Sequence, residues 1–424
     1  MSEQPFQFDL VVVGAGPAGI AGACAAAESG RRVGLVDDTP WLGGQIWRGL
    51  SSRPSVPHAR HWLEKFRRSG VTLLDRTNVI AAPQKKLLLA EHPDGAREIR
   101  WEKLILATGA RDLLLPFPGW TLPGVMGAGG LQVLAKHGWP VAGKKVVIAG
   151  TGPLLLAAAD GLKKKGAQVM SIAEQAPFSQ VAGLALRLLA HPGKILQGGG
   201  LKLRLAGVPQ RYGVWPVKAE GGELLRSVTL TDGQKKWTEE CDLLACGFGL
   251  TPNVELPLSL GCELDDGFVR VDDGQATSEP DVYCAGEPTG IGGVDCALVE
   301  GQIAGYAASG QMVRAGALIN QRSSWHRFRT ALKEAFSLRV ELKVLATSDT
   351  LLCRCEDVPL GRVLAFHGWR EAKLQTRCGM GACQGRICGA AAKVILGWDT
   401  ESVRPPVFPA RVSSLITSNN NNIN

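Results

Sequence analysis

Residues 9–19 read DLVVVGAGPAG. Residues 9–13 are a short apolar run rich in β-branched side chains, the pattern of a parallel strand buried on both faces. Gly14, Gly16 and Gly19 follow at once, and an Ala-rich stretch then runs to Ser29, with Gly30 as its stop. A second apolar run, Val33 to Val36, ends in Asp37, which lies 18 residues after Gly19. The whole is a βαβ unit with its glycines at the strand-to-helix turn. Gly14 permits the turn, Gly16 lets backbone approach a pyrophosphate, and Gly19 lets helix and strand pack closely. The helix start offers free N–H groups and a positive dipole end to phosphates. Gly14, Gly16, Pro17, Ala18 and Gly19 are therefore candidate phosphate-turn residues, and Asp37 is placed to accept ribose hydroxyls.

The same grammar recurs downstream. Residues 144–149 form another apolar strand, followed by Gly150-Thr151-Gly152-Pro153-Leu154-Leu155 and an Ala/Leu-rich helix to Lys165, with Gly166 as its stop. A further strand from Gln168 ends at Glu174. This is an internal repeat of the βαβ unit. Its third glycine is replaced by Leu155, a side chain expected to hold the helix off the strand. Gly150, Gly152 and Glu174 thus mark a second site. NAD(H), another adenine nucleotide such as ATP, and an empty structural domain all stay open for it.

Other segments resemble the FAD half of the flavoprotein disulfide-reductase superfamily: Gly43-Gly44-Gln45 after the first acid, Thr108-Gly109 at the end of a strand, and Gly286-Glu287 after the run from Val282. That resemblance implies an FAD domain split by a second dinucleotide-binding domain. It implies that Gly43, Gly44, Gln45, Thr108 and Gly109 line the cofactor. Gly286 and Glu287 then stand where the superfamily has a Gly-Asp pair at the ribityl chain. No Cys-x-x-Cys pair follows Gly44 or lies near 127–131, so disulfide reduction is not expected.

The C-terminal third carries a different signal. Of eleven cysteines, five fall between Cys353 and Cys388. Cys353-Arg-Cys355 is followed by Cys378-Gly-Met-Gly-Ala-Cys383-Gln-Gly-Arg-Ile-Cys388. A Cys-x-Cys plus a later pair at x₄ spacing supplies four thiolates, the usual complement of an iron–sulfur cluster. The interleaved glycines let backbone N–H groups curl toward the sulfurs. Structural zinc sites space their ligands as Cys-x₂₋₄-Cys, and Cys-x-Cys is shorter than that. Zinc is the rival to [2Fe–2S]. Cys378–Cys383 and Cys383–Cys388 share the same spacing, so spacing alone does not choose between them.

This segment resembles the bacterioferritin-associated-ferredoxin-like [2Fe–2S] domain fused to amine-dehydrogenase flavoprotein subunits. Residues 119–125, 150–156 and the Arg404-Pro-Pro stretch extend the likeness along nearly the whole chain. The chain resembles the α (A or B) subunits of hydrogen cyanide synthase, opine oxidases and dye-linked proline or D-hydroxyproline dehydrogenases. The resemblance implies ligation by Cys353, Cys355, Cys383 and Cys388, with Cys378 extra. It implies FAD, a [2Fe–2S] cluster and, in some relatives, an FMN at the subunit boundary. The partners implied are a flavin-containing β subunit of D-amino-acid-oxidase or glycine-oxidase type, a small ferredoxin-like subunit, and an electron acceptor such as a quinone. The β subunit would oxidise the C–N bond of an amino acid, and this chain would pass the electrons on.

The expected fold is α/β: two Rossmann-like dinucleotide-binding domains plus a small helical [2Fe–2S] domain. The expected divisions are 1–118 with 255–312 for FAD, 119–254 for the second nucleotide-binding-like domain, a helical connection at 313–345, the cluster domain at 346–398 and a tail at 399–424. The Asn-rich residues 419–424 are read as a disordered end.

Composition bounds the rest. The chain has 424 residues, 45% of them hydrophobic, which excludes a disordered protein and allows several cores. No apolar run reaches the ~18–20 residues of a membrane span. The start shows no leader pattern, which points to cytoplasm, where clustered thiols bind metal or do redox chemistry. The net charge of +8 lies in short pairs and one Lys triplet, with no interleaved aromatics, so no nucleic acid is expected. Weak attraction to an acidic partner or the anionic inner face of a membrane fits that charge. Cys24, Cys241, Cys246, Cys262, Cys284 and Cys296 read as small core residues, and Trp325 to Leu332 as a packed amphipathic helix. The seven His do not cluster along the chain, and the pattern describes a protein that holds redox centres. A self-contained NAD(P)H-dependent reductase and a non-enzymatic iron–sulfur scaffold are the alternatives.

Overall fold

The computed structural model describes residues 5–48, 57–188, 191–400 and 403–417. Residues 419–424 lie outside the described residues. Two compact units emerge over the described residues. One comprises Met1–Ala110, Pro252–Arg329 and Ser402–Asn424, the other Arg111–Thr251 and Thr330–Glu401.

The first unit is built on the strand Phe6–Val13, whose Leu10, Val11 and Val12 are buried on both faces. It pairs in parallel with Val33–Val36 on one side and Gly95–Leu106 on the other, and Thr72–Leu74 extends the sheet beyond Val33–Val36. The Gly95–Leu106 strand is long enough to serve two neighbours along its far edge. Its first half runs antiparallel to Leu87–His92, and its second half runs parallel to Val282–Cys284. The late segment thus returns to the sheet beside the strand that leads into Thr108. The helix Pro17–Ala27 packs on the helix Gly293–Ala308 through glycines. A Cβ at Gly301 would lie 2.1 Å from the Ala18 carbonyl oxygen, and one at Gly305 2.3 Å from that of Gly22. The tail returns to this unit, where Arg411 and Ser414 hydrogen-bond Glu91.

The second unit repeats the plan. Its parallel sheet runs Gln210–Tyr212, Gln168–Glu174, Lys145–Gly150, Leu243–Gly247 and Val125–Gly127. An antiparallel sheet of Trp215–Gly221, Leu225–Thr231 and Lys236–Glu240 accompanies it. The cysteine-rich segment belongs to this unit. It has a short Leu351–Cys353/Val358–Pro359 ladder and the helices Leu360–Val363, Trp369–Thr376 and Cys388–Leu396. Trp120 Nε1 donates to the Leu351 carbonyl at 2.6 Å and ties the segment to the rest of its unit. Among the described residues, no helix is long and apolar enough to cross a membrane.

Candidate functional site

At the first turn, each glycine has a separate reason. Gly14 sits at φ +105°, and a Cβ there would lie 2.2 Å from the Ala107 carbonyl oxygen. A Cβ on Gly19 would lie 1.8 Å from the Gly14 carbonyl oxygen. Both glycines are demanded by the fold itself. Gly16 is different: it has ordinary φ, and a Cβ there meets nothing within 4 Å. Its missing side chain leaves room at the N-terminus of the Pro17–Ala27 helix, where Pro17 opens the first turn.

Around that turn the structure gathers the other candidates. Gly43 N donates to the Ala15 carbonyl, and a Cβ on Gly44 would lie 2.9 Å from Gly16 Cα. Asp37 Oδ2 accepts from Ala15 N, and its Oδ1 accepts from the backbone and hydroxyl of Thr39. Gln45 is exposed at the end of the Gly-Gly bend. Thr108 Oγ1 donates to the Asn253 carbonyl at 2.6 Å, and Asn253 Nδ2 donates back to the Thr108 carbonyl at 2.8 Å. Asn253 is a residue the sequence reading missed; it lies 145 positions from Thr108 with no motif to mark it.

Gly286, at φ +82°, brings the late segment against the first helix: a Cβ there would lie 2.8 Å from Ala18 Cβ. The following Glu287 has one oxygen, Oε1, accepting from Gly293 N at the start of the Gly293–Ala308 helix. Its Oε2 is buried without a hydrogen-bond partner among the described residues. A buried carboxylate oxygen without a donor is costly. It fits a site built to meet a hydroxyl of a bound cofactor.

Burial pushes the Glu287 carboxyl up to about 7, and the nearby Glu300 charge adds to the rise. The folded chain therefore holds this proton more tightly than the unfolded chain, whose carboxyl keeps the ordinary value of 4.5. Between those values the native state binds more protons, so stability is full below 4.5 and falls as pH rises through 7. The loss is about 3 kcal/mol at most. Denaturation of the FAD-free chain at pH 5 and pH 8 should show this slope, and Glu287→Gln should reduce it, leaving the part that the raised Glu174 carboxyl contributes. Equal slopes in both proteins would remove this account of Glu287.

The second turn repeats the device with one change. Gly150 sits at φ +144°, and a Cβ there would lie 1.9 Å from the Gly247 carbonyl oxygen. Gly152 N donates to Glu174 Oε2 at 2.7 Å, and Thr151 Oγ1 donates to Oε1. Glu174 is buried, which pushes its carboxyl up to about 6. Leu155 is buried in the core of its own unit, and the helix begins at Leu154. The first helix starts directly after its second glycine; here Pro153 intervenes.

In the cysteine-rich segment, the sulfurs of Cys353, Cys378 and Cys388 lie within 4.8 Å of one another, all buried. The Cys378 and Cys388 thiols donate toward Cys353 and hold it well below the ordinary thiol range, while the same hydrogen bonds to Cys353 push both partners above it. Cys355 is exposed and Cys383 half-buried, and the two side chains meet each other. Trp369 organises the loop. A Cβ on Gly379 would lie 2.7 Å from its ring and one on Gly385 3.3 Å, so these glycines let the loop wrap the indole. All eleven cysteines are free thiols. Three converging sulfurs with two more alongside fit a thiolate-bound centre. Of the four cysteines implied by resemblance, Cys353 and Cys388 join this trio, whereas Cys355 and Cys383 pair beside it. The third member is Cys378.

A family model described as pyridine nucleotide-disulphide oxidoreductase matches residues 8–304, which span both glycine turns and the Gly286-Glu287 segment. The chain belongs to this family. This oxidoreductase is 32% identical to the hydrogen cyanide synthase subunit HcnB of Pseudomonas aeruginosa, over 89% of its own length and 90% of the relative's. It is also 32% identical to the A subunit of opine oxidase from Rhizobium meliloti, over 95% and 97% of the two chains. Among solved structures, the L-proline dehydrogenase from P. horikoshii superposes with a TM-score of 0.67 over 98% of this chain and 81% of that one, at 20% identity. That likeness establishes the fold. Family membership makes the chain an FAD-dependent oxidoreductase, and FAD or NAD is the cofactor type the family brings to such turns.

The structure also assembles residues that no motif announced. Glu300, 1% exposed, accepts from Gly286 N at 2.9 Å and from Thr289 Oγ1 at 3.0 Å. His326 Nε2 lies 2.9 Å from its other oxygen, and Arg329 Nη1 donates to the Thr289 carbonyl. His326 and Arg329 sit on the Ile319–Ala335 helix, read from sequence as packing only. Cys296, read as a core residue, is buried but directs its thiol to Glu300 at 3.5 Å. The available signal was a lone acid in the otherwise apolar run Ala297-Leu-Val-Glu-Gly-Gln-Ile-Ala304.

Proposed function

We propose that this chain is the electron-transfer subunit of a hetero-oligomeric dehydrogenase or oxidase acting on C–N bonds of amino acids. It takes electrons from a partner subunit's flavin and delivers them to an acceptor such as a quinone. The observation that carries the reading is the 32% identity to HcnB and to the opine oxidase relative along nearly the full chain. The unpartnered Glu287 Oε2 beside the first glycine turn independently supports a bound cofactor at the site on which this reading depends. FAD, when bound, exchanges electrons in pairs or singly, and a [2Fe–2S] centre exchanges them one at a time.

The residues would divide the work as follows. Gly16 and Gly44 leave the backbone bare for a pyrophosphate, and Asp37 faces the ribose side. Thr108 and Gly109, locked by Asn253, border the cofactor on the sheet side. Glu287 offers Oε2 to a ribityl hydroxyl. In the second unit, Gly150, Gly152 and Glu174 form the turn for an adenine nucleotide. The divisions expected from sequence place the FAD-binding, nucleotide-binding-like and cluster-binding functions in separate segments. The partner is a flavin-containing subunit that carries the amino-acid pocket, with an interface FMN and a small ferredoxin-like subunit as further parts of the proposed complex. The work is assigned to the cytoplasm, at most against the inner membrane face.

For the metal centre, the resemblance favours Cys353, Cys355, Cys383 and Cys388. The sulfur geometry favours a second reading in which Cys378 takes a ligand position, since it converges with Cys353 and Cys388. The function itself is tested by isolating the native complex. The proposal expects a stoichiometric amount of a flavin-containing, oxidase-like subunit. A chain that purifies alone and turns over NADH with an acceptor would support the self-contained reductase instead.

A further inference from the structure

We propose that Glu300 is a positioning residue for the flavin site: it fixes the Gly286–Thr289 turn that presents Glu287, and His326 and Arg329 fix Glu300 in turn. The inference rests on the assignment of FAD to the first site. Glu300 spends one oxygen on the turn, through Gly286 N at 2.9 Å and Thr289 Oγ1 at 3.0 Å. It spends the other on His326 Nε2 at 2.9 Å and the Cys296 thiol at 3.5 Å. Arg329 Nη1 lies 3.9 Å from that second oxygen and donates to the Thr289 carbonyl at 3.0 Å. One buried carboxylate and one guanidinium therefore hold both ends of the turn. His326 must carry its proton on Nε2 to make its bond.

Cys296, Glu300 and His326 place their donor atoms within 4.8 Å of one another, a set that a cation could use. Two facts favour a hydrogen-bonded carboxylate over a metal site. A guanidinium stands at 3.9 Å from the same oxygen. Burial and the Glu300 charge push the Cys296 thiol up, which keeps it an S–H donor rather than a thiolate ligand.

The arrangement also couples Glu300 to Glu287. Burial acts most strongly on Glu287; the charged or titratable groups that act on it include Glu300, Arg329 and Cys296, and the N–H groups of Gly292 and Gly293 hydrogen-bond it at the helix start. The Glu300 charge makes ionisation of Glu287 harder. Removing that charge should move the Glu287 titration to lower pH. A flavin potential that depends on Glu287 should then show its pH break at lower pH.

The test compares wild type, Glu300→Gln and His326→Gln. The readouts are the FAD dissociation constant of the FAD-depleted full chain and the pH profile of the flavin midpoint potential. Glu300→Gln should weaken FAD binding by about tenfold and move the break to lower pH. His326→Gln, on another helix and partly exposed, should weaken binding by about threefold. It decides the matter if Glu300→Gln does not fold. Wild-type FAD affinity and an unmoved break in the folded variants would overturn the inference and leave the FAD assignment standing. A wild-type chain with no affinity for FAD would overturn both.

Discussion

Gly19→Ala is expected to yield a chain that retains less than about a tenth of the wild-type FAD and unfolds at clearly lower temperature. The new Cβ would lie 1.8 Å from the Gly14 carbonyl oxygen, 3.0 Å from its carbon and 3.4 Å from Ala107 Cβ. Two of these three neighbours are backbone atoms, so no side-chain rotamer relieves the clash. Overpacking of this kind costs about 1–3 kcal/mol or more. The remaining escape is to swing the Pro17–Ala27 helix away from the sheet, which withdraws its N–H groups from the phosphate position. Gly16→Ala separates fold from ligand. It meets nothing within 4 Å and keeps ordinary φ, so its thermal midpoint should stay close to wild type. FAD affinity should nevertheless fall about tenfold or more, because the methyl group occupies the approach to the pyrophosphate. Wild-type affinity in Gly16→Ala would remove the reading of this turn as the FAD site.

The second large effect concerns the thiols. Cys353→Ala should purify with less than about a tenth of the wild-type iron and without the visible bands of a cluster, since a centre that needs four thiolates loses a buried one. Both ligand sets require Cys353, so this variant tests the centre rather than the choice between them. Cys378→Ala makes the choice. Convergence of Cys378 with Cys353 and Cys388 within 4.8 Å leads to the expectation that this variant also loses its iron. Retention of full iron and an unchanged spectrum would return the assignment to Cys353, Cys355, Cys383 and Cys388. Zinc in place of iron in the wild-type chain would contradict the cluster altogether.

These expectations separate what local sequence specifies from what only folding assembles. Gly14 and Gly19 were legible because their spacing encodes a steric fact: backbone meets backbone at 2.2 and 1.8 Å. The repeat at Gly150 was legible for the same reason, and so was the deviation at Leu155, which the structure places buried in the core of its own unit. The grouping of the cysteines was not legible: Cys383 stands at the same spacing from Cys378 and from Cys388, and only the folded loop, with Gly379 and Gly385 against Trp369, brings Cys378 together with Cys353 and Cys388. Asn253 and His326 were invisible because their partners, Thr108 and Glu300, lie 145 and 26 residues away. Glu300 left a faint mark as an acid in an apolar helix, a position that is costly unless every lone pair finds a donor.

The same division explains why the amino-acid substrate is assigned to another chain. Asp37, Asn253 and Glu300 spend their hydrogen bonds on Ala15 and Thr39, on Thr108, and on the Gly286–Thr289 turn and His326, and the unpartnered Glu287 Oε2 is read as meeting the cofactor rather than an amino-acid substrate. The reading therefore rests on electrons entering from outside the chain. Absorbance of the bound flavin in the isolated, FAD-loaded chain tests this most directly. NADH alone should leave the flavin oxidised. Adding the partner subunit together with its amino- or imino-acid substrate should bleach it. Bleaching by NADH at a rate matching turnover, without a partner, would contradict the account.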